Sequence, residues 1–310
     1  MTFTHFVDTY DDKRNEWRKE KDCGFENVAI VVEGLPETIR FPFELLLDGF
    51  EKDPLILCHP FYRRITGNKA NRLTLNQRSL WTNLHDLRIL VIKAPVSGYT
   101  SIEEKNEQQT ITTEFSFGEL KHVEEEVDAI KKIFPNAHVI PSRKEAATRE
   151  DLKTCLEEHW DIIHFAGHGL YVDEDLSGIV LSTSGKGDDP DILGPDDMSG
   201  LFEKCPIDLV YLSSCEGAMT GTTPSQTFYS NFDGVIRGLL SGGVPRIIAN
   251  RWPISDKAAC IMATAFYYEL IKNRLSLESA LLEARKEVYR VDRKENAWAS
   301  AVLIVSADVE

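Results

Sequence analysis

Residues 160–170 read WDIIHFAGHGL and residues 207–217 read IDLVYLSSCEG. In each, a short unbroken apolar run gives way to small residues and one reactive side chain, His168 in the first and Cys215 in the second. A continuous apolar run of this length between turn residues is the pattern of a strand buried on both faces. Such strands belong to parallel sheets, whose crossover helices cover both sides. The neighbouring sequence fits. Further apolar or β-branched runs at 27–33, 88–93, 137–140, 178–181, 246–250 and 298–305 read as strands. Between them, apolar residues recur at helical spacing over 117–134 (Leu120, Val123, Val127, Ile130, Ile133), 256–272 and 276–290. Shorter helices are expected at 152–158, where Thr148 and Asp151 resemble a capping box, at 195–202 and around 227–240. Strands alternating with amphipathic helices define an α/β chain with a mostly parallel central sheet. Residues 97–116 are polar and long for an inner connection, so a surface insertion is expected there. Residues 38–47 suggest an extended segment before a short helix, and 51–86 show no clear periodicity.

Composition narrows the function classes. The chain has 310 residues, 42% hydrophobic and 27% charged, which is enough to bury a full core without disulfides. With 19 Gly and 13 Pro it is neither fibrous nor disordered by composition. No apolar stretch approaches the roughly 20 residues that cross a bilayer, and the first residues carry no apolar leader, so a cytoplasmic protein is expected. Thirty-five Lys and Arg against fifty Asp and Glu leave a formal charge of −15. Such a surface repels nucleic acid backbones and anionic lipid, and a protein or basic peptide is the partner it suits. Six cysteines stand at 23, 58, 155, 205, 215 and 260 without a C-x-x-C pair, which points to free thiols in a reducing compartment.

In an open α/β sheet, chemistry gathers beyond the carboxyl ends of the strands. If the strands carrying His168 and Cys215 are parallel neighbours, both side chains emerge at one edge. A thiol and an imidazole within reach are the minimum for nucleophilic acyl transfer, and backbone N–H groups can stabilise the oxyanion. Glycines on both sides of His168 and at 217 would let the backbone take unusual φ and let a substrate approach closely. Without more, a buried His and a buried Cys at strand ends are an equally simple reading. His164 and His168 are four apart, but on a strand that separates them by roughly 13 Å, too far for one metal. The acidic residues Asp188, Asp189, Asp191, Asp196 and Asp197 lack the alternation of a calcium loop and read as solvated. Neither G-x-G-x-x-G nor a Walker-type loop follows any strand, which disfavours a nucleotide enzyme.

Taken together, FAGHG at 165–169, LVYLSSCEGA at 209–218 and GGVPRIIANRWPISD at 242–256 resemble the CHAT-domain peptidases, relatives of caspases and separase. FYY at 266–268, SLESALLEA at 276–284 and RFPFELL at 40–46 also resemble elements of that family, with Phe43 where a Trp is usual. The resemblance spans about residues 35–305. It implies a caspase-like α/β/α sandwich over 87–310, preceded by an N-terminal region over 1–86 that such proteins often build as a degenerate partner lobe. It implies a cysteine endopeptidase with His168 and Cys215 as catalytic dyad and the Gly169 and Cys215 N–H groups as oxyanion hole. No metal or organic cofactor is implied. The expected partners are a protein substrate and a sensor or regulatory protein, plausibly in bacterial defence, with no direct contact to nucleic acid or membrane. Residues 250–256 (NRWPISD) are similar to the separase stretch whose Asp lines a basic P1 pocket, which makes Asp256 and Trp252 the expected P1 residues. Ser255 and Asp256 could instead simply cap the next helix. A catalytically silent caspase-like interaction module is the alternative.

Overall fold

The runs that read as buried strands pair into one sheet. The computed structural model describes residues 29–34, 45–46, 54–66, 87–105, 110–143, 145–170, 177–183, 190–215, 232–291 and 296–306. The strands are β1 (Ile30–Gly34), β2 (Phe61–Ile65), β3 (Ile89–Ala94), β4 (Gly98–Lys105), β5 (Thr110–Phe117), β6 (His138–Ile140), β7 (Ile162–Leu170), β8 (Gly178–Ser182), β9 (Pro190–Leu193), β10 (Leu209–Cys215), β11 (Arg246–Asn250) and β12 (Ala301–Ser306). The central sheet runs β1-β2-β12-β11-β10-β7-β3-β6, and β8 and β9 branch from the far end of β7. Pairing is parallel throughout this path except between β11 and β12. β1 and β2, from the N-terminal region, continue the same sheet beyond β12.

Helices cover both faces, as the fully buried strands require. We number them α1 (Leu55–Cys58), α2 (Val123–Ile133), α3 (Arg149–Cys155), α4 (Pro195–Phe202), α5 (Phe232–Ser241), α6 (Asp256–Ile271) and α7 (Leu277–Val291). On one face, Leu152 of α3, Met198 and Phe202 of α4, and Val235, Ile236 and Leu239 of α5 pack onto Ile92, Ile163, Phe165, Val210, Leu212 and Ile247. On the other, Val127 and Ile130 of α2, Met262 and Phe266 of α6, and Leu281 and Val288 of α7 pack onto Val91, Ile162, Leu209, Tyr211 and Ile248. Each such side chain contributes about 1.5–3 kcal/mol of burial free energy, so neighbouring strands are locked in register by packing on two sides.

Several elements differ from the sequence expectation. The helix expected over 117–134 begins only at Val123, because Phe117 ends β5 and Gly118 starts a strap of residues 118–122 without regular structure. Within 97–116, β4 and β5 pair as an antiparallel ribbon, and β5 tucks Phe115 and Phe117 into the core. Its polar alternation is that of a ribbon with one wet face. The strand expected to stop near 165 runs on to Leu170, since β10 pairs with it as far as His168 and β8 takes over at Gly169. The strand expected over 298–305 begins at Ala301, after a 3-10 turn at Ala297–Ala299. Phe61–Ile65, hidden from sequence reading by Arg63 and Arg64, is a strand. The capping box is present: Thr148 accepts from the Asp151 N–H and the Asp151 carboxylate accepts from the Thr148 N–H. Most of 38–47, together with Glu216, Gly217 and residues 227–231, lies outside the described residues.

Gly167 shows how tightly β7 is fitted. A Cβ there would stand 2.6 Å from the Ala94 carbonyl oxygen and 2.7 Å from the Phe165 ring. Close approach, not backbone φ, requires this glycine; among the described glycines a left-handed φ occurs at Gly98 and Gly243. Gly167→Ala is expected to lose about 1–3 kcal/mol of stability through overpacking, read as a lower urea midpoint at unchanged slope. An unchanged midpoint would contradict the packing described for β3 and β7.

Candidate active site

β7 and β10 are parallel neighbours in the middle of the sheet, and their register sets His168 opposite Cys215. Parallel strands lie about 4.8 Å apart, so these two backbones adjoin at the carboxyl rim of the sheet. Cys215 is the last residue of β10; its side chain lies outside the described residues. His168 lies within β7 rather than in a turn, is 2% exposed, and has the Phe117 ring 5.4 Å from its own.

The orientation of the His168 ring is set by a backbone group. Nε2 lies 2.8 Å from the Gly118 carbonyl oxygen. A carbonyl only accepts, so Nε2 carries the proton, and in the neutral ring Nδ1 is the nitrogen able to take another. In that tautomer Nδ1 is the ring nitrogen with base character.

The strap that supplies this carbonyl is tied down beyond it. One carboxylate oxygen of Asp256, Oδ2, accepts from the backbone N–H of Lys121 at 2.6 Å and of His122 at 2.9 Å. The Lys93 ammonium, at the end of β3 and buried, donates to Glu124 Oε1 at 2.9 Å and to the Arg143 carbonyl at 2.7 Å. Asp256 is the first residue of α6, and Ser255 caps that helix by accepting from the Ala258 N–H. Trp252 sits half-buried between β11 and α6, against the core face formed by α6 and α7. Gly169 pairs with Ile179 of β8.

The end of β10 has its own support. Asn250, the last residue of β11 and buried, donates through Nδ2 to the Ser214 carbonyl at 3.1 Å, one residue before Cys215. The Ser300 hydroxyl stands 2.9 Å from Asn250 Oδ1 and 2.8 Å from the Ala297 carbonyl, and donates to one of them at a time. Sequence reading missed Gly118 and Lys93, which no motif marks, and gave Asn250, the first residue of the NRWPISD stretch, no role; each matters through partners at least 31 residues away.

Other sequence candidates are structural. His164 is fully buried, with Nε2 2.9 Å from Glu126 Oε1 and Nδ1 3.1 Å from the Tyr267 hydroxyl. Burial pushes the Tyr267 and Tyr211 hydroxyls well above their ordinary values, so both stay neutral donors. Asp191 and Asp197, expected in a solvated loop, both meet the Arg149 guanidinium, which clips β9 and α4 to α3. Burial also pushes the Cys205 thiol up to about 11 and the Cys260 thiol up to about 12, and it raises Cys155.

Comparison with known proteins gives this architecture its class. The chain is similar to the complex of pro- and mature domains of RgpB from Porphyromonas gingivalis, with a TM-score of 0.52 and 9% identity over 94% of this chain and 67% of that one. It is also similar to separase in the Saccharomyces cerevisiae separase–securin complex, with a TM-score of 0.46 and 16% identity over 90% of this chain, spanning only 15% of the separase chain. No curated protein matches the chain in sequence. The fold is a caspase-like α/β sandwich with a mostly parallel central sheet. The CHAT domain model matches residues 18–306, and the chain belongs to the CHAT-domain family. Among the described residues no helix is long and apolar enough to cross a membrane.

Asn250 offers a direct check on how the rim is held. Asn250→Ala removes the donor to Ser214 and one possible acceptor for Ser300 inside the core. The expected cost is about 1–3 kcal/mol, read as a lower thermal midpoint. Unaltered stability would show that the Ser214 carbonyl does not depend on Asn250.

Proposed function

We propose that the protein is a cysteine endopeptidase that cleaves a protein substrate with Cys215 as nucleophile and His168 as general acid and base. The observation that supports this most is the parallel register of His168 with Cys215, joined to the hydrogen bond that fixes the His168 tautomer. His168 takes the proton of Cys215 through Nδ1, and the thiolate attacks the carbonyl carbon of the scissile peptide bond. The oxyanion that forms is stabilised by the backbone N–H groups of Gly169 and Cys215. The imidazolium then gives its proton to the leaving amine, the C–N bond breaks, and an acyl thioester remains on Cys215. Water, losing a proton to Nδ1, attacks the thioester; collapse releases the new carboxyl terminus and returns the thiol. Charge and proton balance without a metal or organic cofactor.

A basic P1 residue belongs to the same proposal. Asp256 opens α6 just beyond the end of β11, at the carboxyl rim, and Trp252 lies four residues before it. A guanidinium beside a carboxylate there would form a charge-assisted contact, and the flat indole would cover its stem.

Cleavage of a proteome-derived peptide mixture, read by mass spectrometry of new termini, tests the dyad. Cys215→Ala and His168→Ala are each expected to lower cleavage by at least roughly 10³-fold while leaving the melting temperature near wild type. Wild-type cleavage by Cys215→Ala would contradict the proposal, and no cleavage by any form would favour a silent interaction module. The same digest reports P1: Arg and Lys are expected to dominate, and a flat P1 profile would contradict the assignment to Asp256 and Trp252. Thiol selectivity supplies a further check. Because burial raises Cys155, Cys205 and Cys260, these groups stay protonated and slow near pH 7, and gain reactivity only as pH climbs toward their raised values. A haloacetamide at pH 7 is therefore expected to modify Cys215 before Cys155, Cys205 or Cys260; earlier modification of Cys205 or Cys260 would contradict this order.

A further inference from the structure

We propose that Asp256 is a positioning residue for His168, acting through the strap of residues 118–122, a role that rests on the dyad reading but not on any P1 preference. The His168 ring is bonded to one atom of that strap, the Gly118 carbonyl oxygen at 2.8 Å, and packs beside the Phe117 ring that precedes it. Gly118 itself cannot hold that atom in place: it is exposed, and a Cβ built on it would touch nothing within 4 Å. Within the strap Leu120 is half-buried against the core face that carries α2 and α6, and the strap is further held at its two ends. On the β5 side it is fixed by Phe117, 3% exposed in the core. On the α2 side it is fixed by Asp256, whose Oδ2 accepts from two successive N–H groups 135 and 134 residues away in sequence.

The electrostatics favour a carboxylate in this place. Lys121 and His122 immediately precede α2, with His122 its N-cap, and Asp256 opens α6, so the negative charge lies at the amino ends of two helices. Amino ends carry partial positive charge from unpaired N–H groups, and a carboxylate there both neutralises it and satisfies the donors. Lys93 pulls on the same turn from the sheet side through Glu124. Removal of the Asp256 bonds frees residues 118–122 to move relative to β7. The Gly118 carbonyl then no longer selects one His168 tautomer or ring orientation.

The test reads the thiol and the imidazole without any peptide substrate, so a P1 role of Asp256 cannot move it. The rate of iodoacetamide alkylation at Cys215 is followed by mass spectrometry of its peptide at about pH 6.5, where a His-paired thiolate reacts and an ordinary thiol is nearly silent. His168→Ala sets the uncoupled rate. Asp256→Ala is expected to slow alkylation by roughly tenfold or more, as small misplacements of a reacting group commonly do. Asp256→Asn, which keeps an acceptor oxygen without the charge, is expected to recover most of the rate. If Asp256→Ala does not fold, Lys121→Pro deletes the 2.6 Å bond from its other end and is expected to slow alkylation likewise. A rate equal to wild type in folded Asp256→Ala, or in Lys121→Pro, while His168→Ala is slow, overturns the latch and leaves the dyad standing. A wild-type rate in His168→Ala overturns the dyad itself.

Discussion

The site depends on the in-register parallel pairing of β7 and β10. Two residues 47 positions apart in sequence become neighbours because Ile162 to His168 and Leu209 to Cys215 match one for one. A slip by one residue would move every inward side chain of a strand to the opposite face. With Ile163, Phe165, Val210 and Leu212 packed on one side and Ile162, Leu209 and Tyr211 on the other, such a slip would expose or crowd both cores at once. The hydrophobic packing of the sandwich is thus also what aligns His168 with Cys215 at its rim.

Around that alignment the rim is secured by polar contacts of high sequence separation. Asn250 ties the last peptide of β10 to β11 and to the turn before β12. Gly167 lets β3 approach β7 where any side chain would push it away. Asp256 and Lys93 draw the start of α2 toward the same edge. The hydrogen bonds among these, some to backbone and some between side chains, lie in partly or fully buried settings, where an unmatched polar group costs more than the bond contributes when made. They hold the ends of β7 and β10 in place, the support that the proposed general base requires if its tautomer is to stay fixed.

The sheet was legible in the sequence because parallel strands leave long apolar runs, as at 88–93, 208–212 and 246–250. The helices α6 and α7 were legible from their apolar spacing for the same reason. The ribbon of β4 and β5 was not, since its strands face water on one side and read as polar. β2 was hidden by Arg63, a charged residue that is nonetheless 1% exposed. At the site, His168 and Cys215 stand out because each follows an apolar run directly. Gly118 and Lys93 carry no such mark, and Asp256 could be seen only as a cap or a pocket residue. Its bond to the strap joins two helices that the sequence does not show to be adjacent.

The central claim is that the thiol of Cys215 and the imidazole of His168 act on one substrate carbonyl at this rim. A crystal structure of the protein inactivated by a peptidyl chloromethyl ketone tests it most directly. The inhibitor is expected bonded to Cys215 Sγ, with its carbonyl-derived oxygen facing the N–H groups of Gly169 and Cys215, and with His168 Nε2 still on the Gly118 carbonyl. An adduct on another cysteine, or a His168 ring turned away from the bound peptide, would contradict it.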